Sequence, residues 1–176
     1  RLTCPLCVYD FFINRNDLDQ GRIQKIVDDT LHGGDDGELY FEYCQSEGFM
    51  FDDGRLKNAS FDTSQGFGLR SVAGETTGFA HSSELSEAAI KRAADAVVAV
   101  KSGYTGVMAD DPRGTNISLY TDDNPINGVA FEAKVKLMQD IDAYARAKDP
   151  RIRQVSCSLT GEWSVVAIMR ADGQVV

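Results

Sequence analysis

The side chains best placed to do chemistry are the thiols of Cys4-Pro5-Leu6-Cys7. Such a pair exchanges disulfides when it sits at a helix N-terminus behind a strand, where the dipole lowers a thiol pKa. As half of a zinc site it needs a second Cys or His pair at short spacing. No strand pattern precedes it here, and the residues after it do not read as a helix. Cys44 and Cys157 stand alone inside strand-like stretches. The pair is therefore read as incidental, in a flexible arm over residues 1–16, with thiol-redox chemistry as a rival reading.

The other candidates are isolated. His32 and His81 are the only histidines, and neither is followed by the glutamate of a zincin-type pair. His32 before Gly33 suits a helix C-terminus, where a partly charged imidazole meets the dipole. Gly66-Phe67-Gly68 lacks the third glycine of a phosphate loop, since Ser71 stands there, and it leads into a strand pattern. Close strand packing is its expected role. The acidic pairs Asp28-Asp29, Asp52-Asp53 and Asp122-Asp123 fall in turns or on helix faces, and there is no Gly-x-Ser-x-Gly elbow. The residues thus assign no catalytic, cofactor-binding or metal-ligating position in this chain.

The elements that would position any site follow from periodicity. Asp17 can cap a helix over Leu18 to about Leu31, closed by Gly33-Gly34. From Glu38 to Ser82 the period is two: Leu39 to Cys44, Phe49 to Phe51, Arg55 to Thr63, Phe67 to Ala73 and Thr76 to His81 read as separate strands. Asp52-Asp53-Gly54 is a hairpin signal. Ser83 or Ser86 can cap an alanine-rich helix to about Val100. Residues 102–128 read as a long loop with one strand-like stretch, Ile117 to Tyr120, and with Met108 to Gly114 expected to be mobile. A helix follows over Val129 to Lys148, with Phe131, Val135, Met138, Ile141 and Ala145 as its apolar stripe and Asp149-Pro150 as its stop. Val155 to Thr160 and Trp163 to Arg170 read as a terminal hairpin turning at Gly161-Glu162. The expected class is α+β: an antiparallel meander plus C-terminal hairpin, with about three helices packed on the sheet.

Composition narrows the function classes. The 176 residues carry 18 Lys+Arg against 27 Asp+Glu, a net charge of -9, with no basic cluster for a phosphate backbone. No nucleic-acid partner is expected. No stretch approaches the roughly 20 apolar residues of a membrane span. Four cysteines at unpatterned spacings suit a reducing cytoplasm. The chain opens at Arg1 and stops just after the turn signal Ala171-Asp172-Gly173, so both ends read as cut from a longer protein.

Several blocks then occur in a recognisable order. They are Tyr40-Phe41-Glu42-Tyr43, Asp53-Gly54-Arg55-Leu56-Lys57, Gln65-Gly66-Phe67-Gly68-Leu69-Arg70, and Gly74-Glu75-Thr76-Thr77-Gly78-Phe79-Ala80. Leu119-Tyr120, Asn124-Pro125, Asp149-Pro150-Arg151, Ser158-Leu159-Thr160-Gly161 and Ala171-Asp172-Gly173 follow. Together they resemble the N-terminal domain of the TldD/PmbA family, the modulator-of-DNA-gyrase-type zinc metallopeptidases, and the TldD branch more than the PmbA branch. The resemblance covers about residues 38–176, and it implies that 17–176 form the N-terminal domain of a longer protein. The C-terminal catalytic domain, with its His-Glu-x-x-x-His zinc motif, would lie outside this chain, and no position here matches that motif. The resemblance also implies a homo- or heterodimer with a family member, acting on unfolded peptides. This chain's share would be dimer assembly and substrate gating. The rival function is a stand-alone interaction module that regulates a partner such as DNA gyrase.

Overall fold

Asp53 and Gly54 both hold positive φ, 51° and 77°, the two left-handed positions of a two-residue type I′ hairpin turn. That turn folds β1 (Asp36–Asp52) back on β2 (Arg55–Ala73), strands of 17 and 19 residues. In this computed structural model, which describes residues 5–101, 103–110, 121, 123–173 and 175, β3 (Thr76–Ser82) and β4 (Ser156–Met169) complete a four-stranded sheet of order β3-β2-β1-β4. The helices are α1 (Pro5–Arg15), α2 (Gln20–Leu31), α3 (Glu87–Val100), α4 (Pro125–Gly128) and α5 (Phe131–Lys148). The class is α+β, as expected.

The chain divides into two compact units: residues 1–43, 65–122 and 165–176, and residues 44–64 and 123–164. In the first, Leu39, Phe41 and Tyr43 alternate inward from β1. Phe12 stacks on Phe41 at 5.4 Å and Tyr9 meets the same ring edge-on at 6.1 Å. Ser86 caps α3 by accepting from the Ala89 N–H, and Asp19 rather than Asp17 caps α2 by accepting from the Arg22 N–H. Lys101 donates to the carbonyls of Thr30 and His32, so an ammonium meets the negative end of α2. Gly78 is required where β3 passes under α3, because a Cβ there would lie 2.8 Å from the Val97 carbonyl oxygen.

Four expectations need correction. The arm over 1–16 is a helix from Pro5 to Arg15, with Tyr9 and Phe12 at 0% and 1% exposure. Its Val-Tyr-Asp-Phe-Phe-Ile run carries little intrinsic helix preference, and burial of Tyr9 and Phe12 overrides that weakness. The short strands of the meander fuse into two long ones, and Gln65-Gly66 lies within β2: a Cβ at Gly66 would meet the Ser82 carbonyl oxygen at 2.8 Å, so the glycine serves close packing. The terminal hairpin is one strand, β4, running straight through Gly161-Glu162. Finally, α5 buries Lys134, Met138 and Asp142 and leaves Phe131 and Ile141 exposed.

The expected loop holds the short helix α4. Its earlier part is tied down: Gly106 and Ala109 donate from their backbone to the carbonyls of Gly33 and Asp35, at 2.8 and 2.6 Å. Ala109 lies inside the stretch expected to be mobile. Residues 111–114 of that stretch, and the strand expected at Ile117 to Tyr120, fall outside the described residues.

Replacing Phe12 by Ala should cost about 3–5 kcal/mol, the usual range for emptying a buried aromatic site. Urea unfolding followed by circular dichroism measures it. A loss below about 1 kcal/mol would mean that α1 is not part of the core.

Candidate functional site

The second unit contains the one buried lysine among the described residues, and a buried ammonium must be paired. Lys134, on the first turns of α5, donates to Glu47 Oε1 at 2.6 Å and to the Ile126 carbonyl at 2.8 Å; the two side chains are only 8% and 10% exposed. α4 presents that carbonyl because Asn124 caps it, accepting from the Ile126 N–H at 2.9 Å. The Asn124 amide also donates to Gln45 Oε1 at 2.7 Å on β1. Gly161 leaves room for the acid: a Cβ there would approach Glu47 Oε1 to 3.0 Å.

Over this pair lies a groove of about 330 Å³, walled by Phe49, Phe61, Ile126, Val129 and Phe131. That volume is at the lower end of the range for small-ligand pockets. Phe49 and Phe131 hold their rings 5.6 Å apart. The floor carries two opposite charges in contact and the walls are apolar, so the groove suits a neutral apolar group.

Two further polar clusters organise the units without forming a reaction centre. In the second unit Asp52 accepts from Ser156 Oγ at 2.5 Å and Gln154 Nε2 at 2.9 Å, and these bonds hold its carboxyl below the usual range. They border a cavity of about 590 Å³ lined by Met50, Lys57 and Cys157 among others. In the first unit Arg70 forms a fork to Glu38, with both contacts at 2.7 Å, and reaches Asp36 at the same distance. Arg170 joins Asp36 at 2.8 Å. Burial pulls the Asp36 carboxyl upward, but the hydrogen bonds from Arg70, Arg170 and the Gly37 N–H outweigh it, and the net shift is downward.

The residues weighed from sequence are not brought together. Cys7 sits exposed in the first turn of α1, and Cys4 lies outside the described residues. Cys44 and Cys157 are half-buried. His32 is exposed at the C-cap of α2, as its position suggested, and His81 lies beside Phe79 at 5.7 Å. Gly66 and Gly68 are strand positions against Ser82 and the Phe79 ring. Lys134, Glu47 and the groove were missed. Their one signal was a lysine at the centre of an otherwise core-facing stretch.

Sequence comparison decides what these units belong to. Residues 37–101 match the family model for PmbA/TldA metallopeptidase domain 1, and residues 124–176 match that for the PmbA/TldA metallopeptidase central domain. The chain belongs to the TldD/PmbA family. It is 32% identical over 171 residues to a Metalloprotease TldD homolog of Haemophilus influenzae, covering 94% of this chain and 35% of that protein. A homolog of the same name from Buchnera aphidicola subsp. Acyrthosiphon pisum is 30% identical over 146 residues, covering 81% of this chain and 30% of its own. The chain thus spans about a third of the length of these TldD relatives. Two solved structures share the fold. A Bacteroides thetaiotaomicron protein named as a modulator of DNA gyrase has a TM-score of 0.67 at 16% identity, over 89% of this chain and 37% of its own. TldE of Thermococcus kodakarensis has 0.51 at 13%, over 96% and 36%. The Gly74-to-Ala80 block lies in the first matched TldD/PmbA domain, and Asn124-Pro125 opens the second.

The described residues gather no donor set that fits the family's metal. Among the described residues no three His, Cys, Asp or Glu side chains gather in a metal-holding group, and the two histidines lie on separate elements.

Lys134→Met should destabilise the protein by about 3–5 kcal/mol, because it strands the buried Glu47 charge. Adding Glu47→Leu should recover much of that loss, as an apolar pair leaves no unpaired charge. Denaturant midpoints of the two single variants and the double variant measure the coupling. Additive losses would show that the pair does not act as a unit.

Proposed function

We propose that this chain is the non-catalytic N-terminal part of a TldD-like zinc-dependent peptidase that acts on unfolded peptides, contributing dimer assembly and substrate gating. The observation that carries this reading is the match, in order, to the first and central domains of the metallopeptidase family. The same chain fills only 35% of a relative named as a metalloprotease. In this reading the zinc, and the water it activates, belong to residues outside this sequence, which contains no His-Glu-x-x-x-His.

Assembly is supported by the flank of α5. Leu137, Ile141 and Tyr144 recur at helical spacing and are 50%, 44% and 65% exposed, a surface suited to another family subunit. Gating is supported by the apolar groove beside it on the same unit. No described helix is long and apolar enough to cross a membrane. The cytoplasm remains the proposed compartment, supported by the count and spacing of the four cysteines, which form no dense framework.

The test compares this chain with a longer form that continues through the zinc motif, using a reduced and alkylated protein as substrate. The longer form should cleave it and stop when a chelator is added, and the chain alone should not cleave. Hydrolysis by the repurified chain in the presence of chelator would overturn the reading. A longer form that is inert but holds gyrase in a stable complex would favour the regulatory module.

A further inference from the structure

The open cavity of about 590 Å³ in the second unit carries charges of both signs that are not spent on each other. Asp52 ends β1 and Lys57 lies near the start of β2, on either side of the tight turn at Asp53 and Gly54. Ser156 Oγ and Gln154 Nε2 both donate to Asp52 Oδ1, which fixes the carboxylate and leaves its Oδ2 open to a further donor. Those bonds, with Lys57 acting through space, hold the carboxyl below its usual range, so it is charged at neutral pH. The Lys57 ammonium is exposed and forms no ion pair or hydrogen bond among the described residues. Met50, 56% exposed, adds its thioether to the same wall.

The two charges decide what can sit there. A simple anion would meet Lys57 but also the Asp52 carboxylate, and the neighbouring donors Ser156 and Gln154 are already committed to Asp52. A simple cation would meet Asp52 but also Lys57. A molecule with both charges a few atoms apart satisfies each wall and is repelled by neither. The volume of about 590 Å³ falls within the range of small-molecule sites. Methionine offers an adaptable apolar surface to a side chain of variable shape.

We propose that this cavity binds a free α-amino acid with an apolar side chain, its ammonium on Asp52 Oδ2, its carboxylate on Lys57 and its side chain against Met50. A residue inside a peptide chain lacks both charges, so the cavity separates a free amino acid from an intact chain. It shares no lining residue with the groove over Lys134, and the inference is independent of the peptidase reading. Exposed charge contacts are weak, so the expected Kd is about 1 mM.

The test follows backbone amide shifts of the isotope-labelled full chain by NMR as L-leucine is added. Saturable shifts should gather at residues 50–57 and 154–158. N-acetyl-leucine, which lacks the positive charge, and leucinamide, which lacks the negative one, should bind about tenfold or more weakly. Lys57→Met should remove the preference for leucine over leucinamide, and Asp52→Asn the preference for leucine over N-acetyl-leucine. Lys57 is exposed and unpaired, so its variant should keep the amide spectrum of the unliganded fold. Equal binding of the three leucine forms would overturn the proposal. So would phosphate or methylammonium binding as well as leucine, or the absence of saturable shifts well above the expected Kd. None of these failures touches the peptidase reading, which stands on the domain match.

Discussion

The structure depends on a turn that only two left-handed residues can make. Asp53 and Gly54 take φ values of 51° and 77°, which match the twist of a tight hairpin and so let β1 and β2 run antiparallel along their length. Glycine meets this demand at no steric cost, and aspartate is among the few other residues that tolerate it. Each compact unit takes its own stretch of the two strands. In one, Leu39, Phe41 and Leu69 supply a face for buried aromatic and aliphatic side chains. In the other, Phe49 and Phe51 join Met138, with Leu56, Cys157 and Leu159 around them. A shift of register by one residue would turn these alternate positions to the opposite face.

The second unit shows how a buried charge organises its surroundings. A paired ammonium recovers its desolvation cost only with good geometry and further hydrogen bonds. Lys134 meets both conditions through Glu47 and the Ile126 carbonyl. Asn124 presents that carbonyl by capping α4, and Gly161 leaves the acid room. One ion pair thereby fixes a helix, a one-turn helix and a strand around an apolar groove. The consequence is unusual for a helix: α5 turns Lys134 and Asp142 inward while Leu137, Ile141 and Tyr144 face outward.

Much of this was legible in the residues. The hairpin turn, the Ser86 cap, the Asp149-Pro150 stop and the α+β class follow from local rules that tertiary context did not override. The ordered blocks from Tyr40 to Gly173 carried the family. Three features were hidden because they depend on contacts distant in sequence. α1 forms because Tyr9 and Phe12 find Phe41, which no local preference announces. Glycines at 66 and 161 imitate turns but serve close approach to Ser82 and Glu47. The inward face of α5 departs from its apolar stripe because Lys134 is buried by a partner, Glu47, that lies 87 residues away.

Hydrogen–deuterium exchange of the chain and of its Lys134→Met variant tests most directly whether one buried ion pair holds the second unit together. The account predicts faster exchange in the variant over residues 45–51 and 126–138, with α2 and α3 unchanged. Exchange in those segments equal to that of the unaltered chain would contradict it.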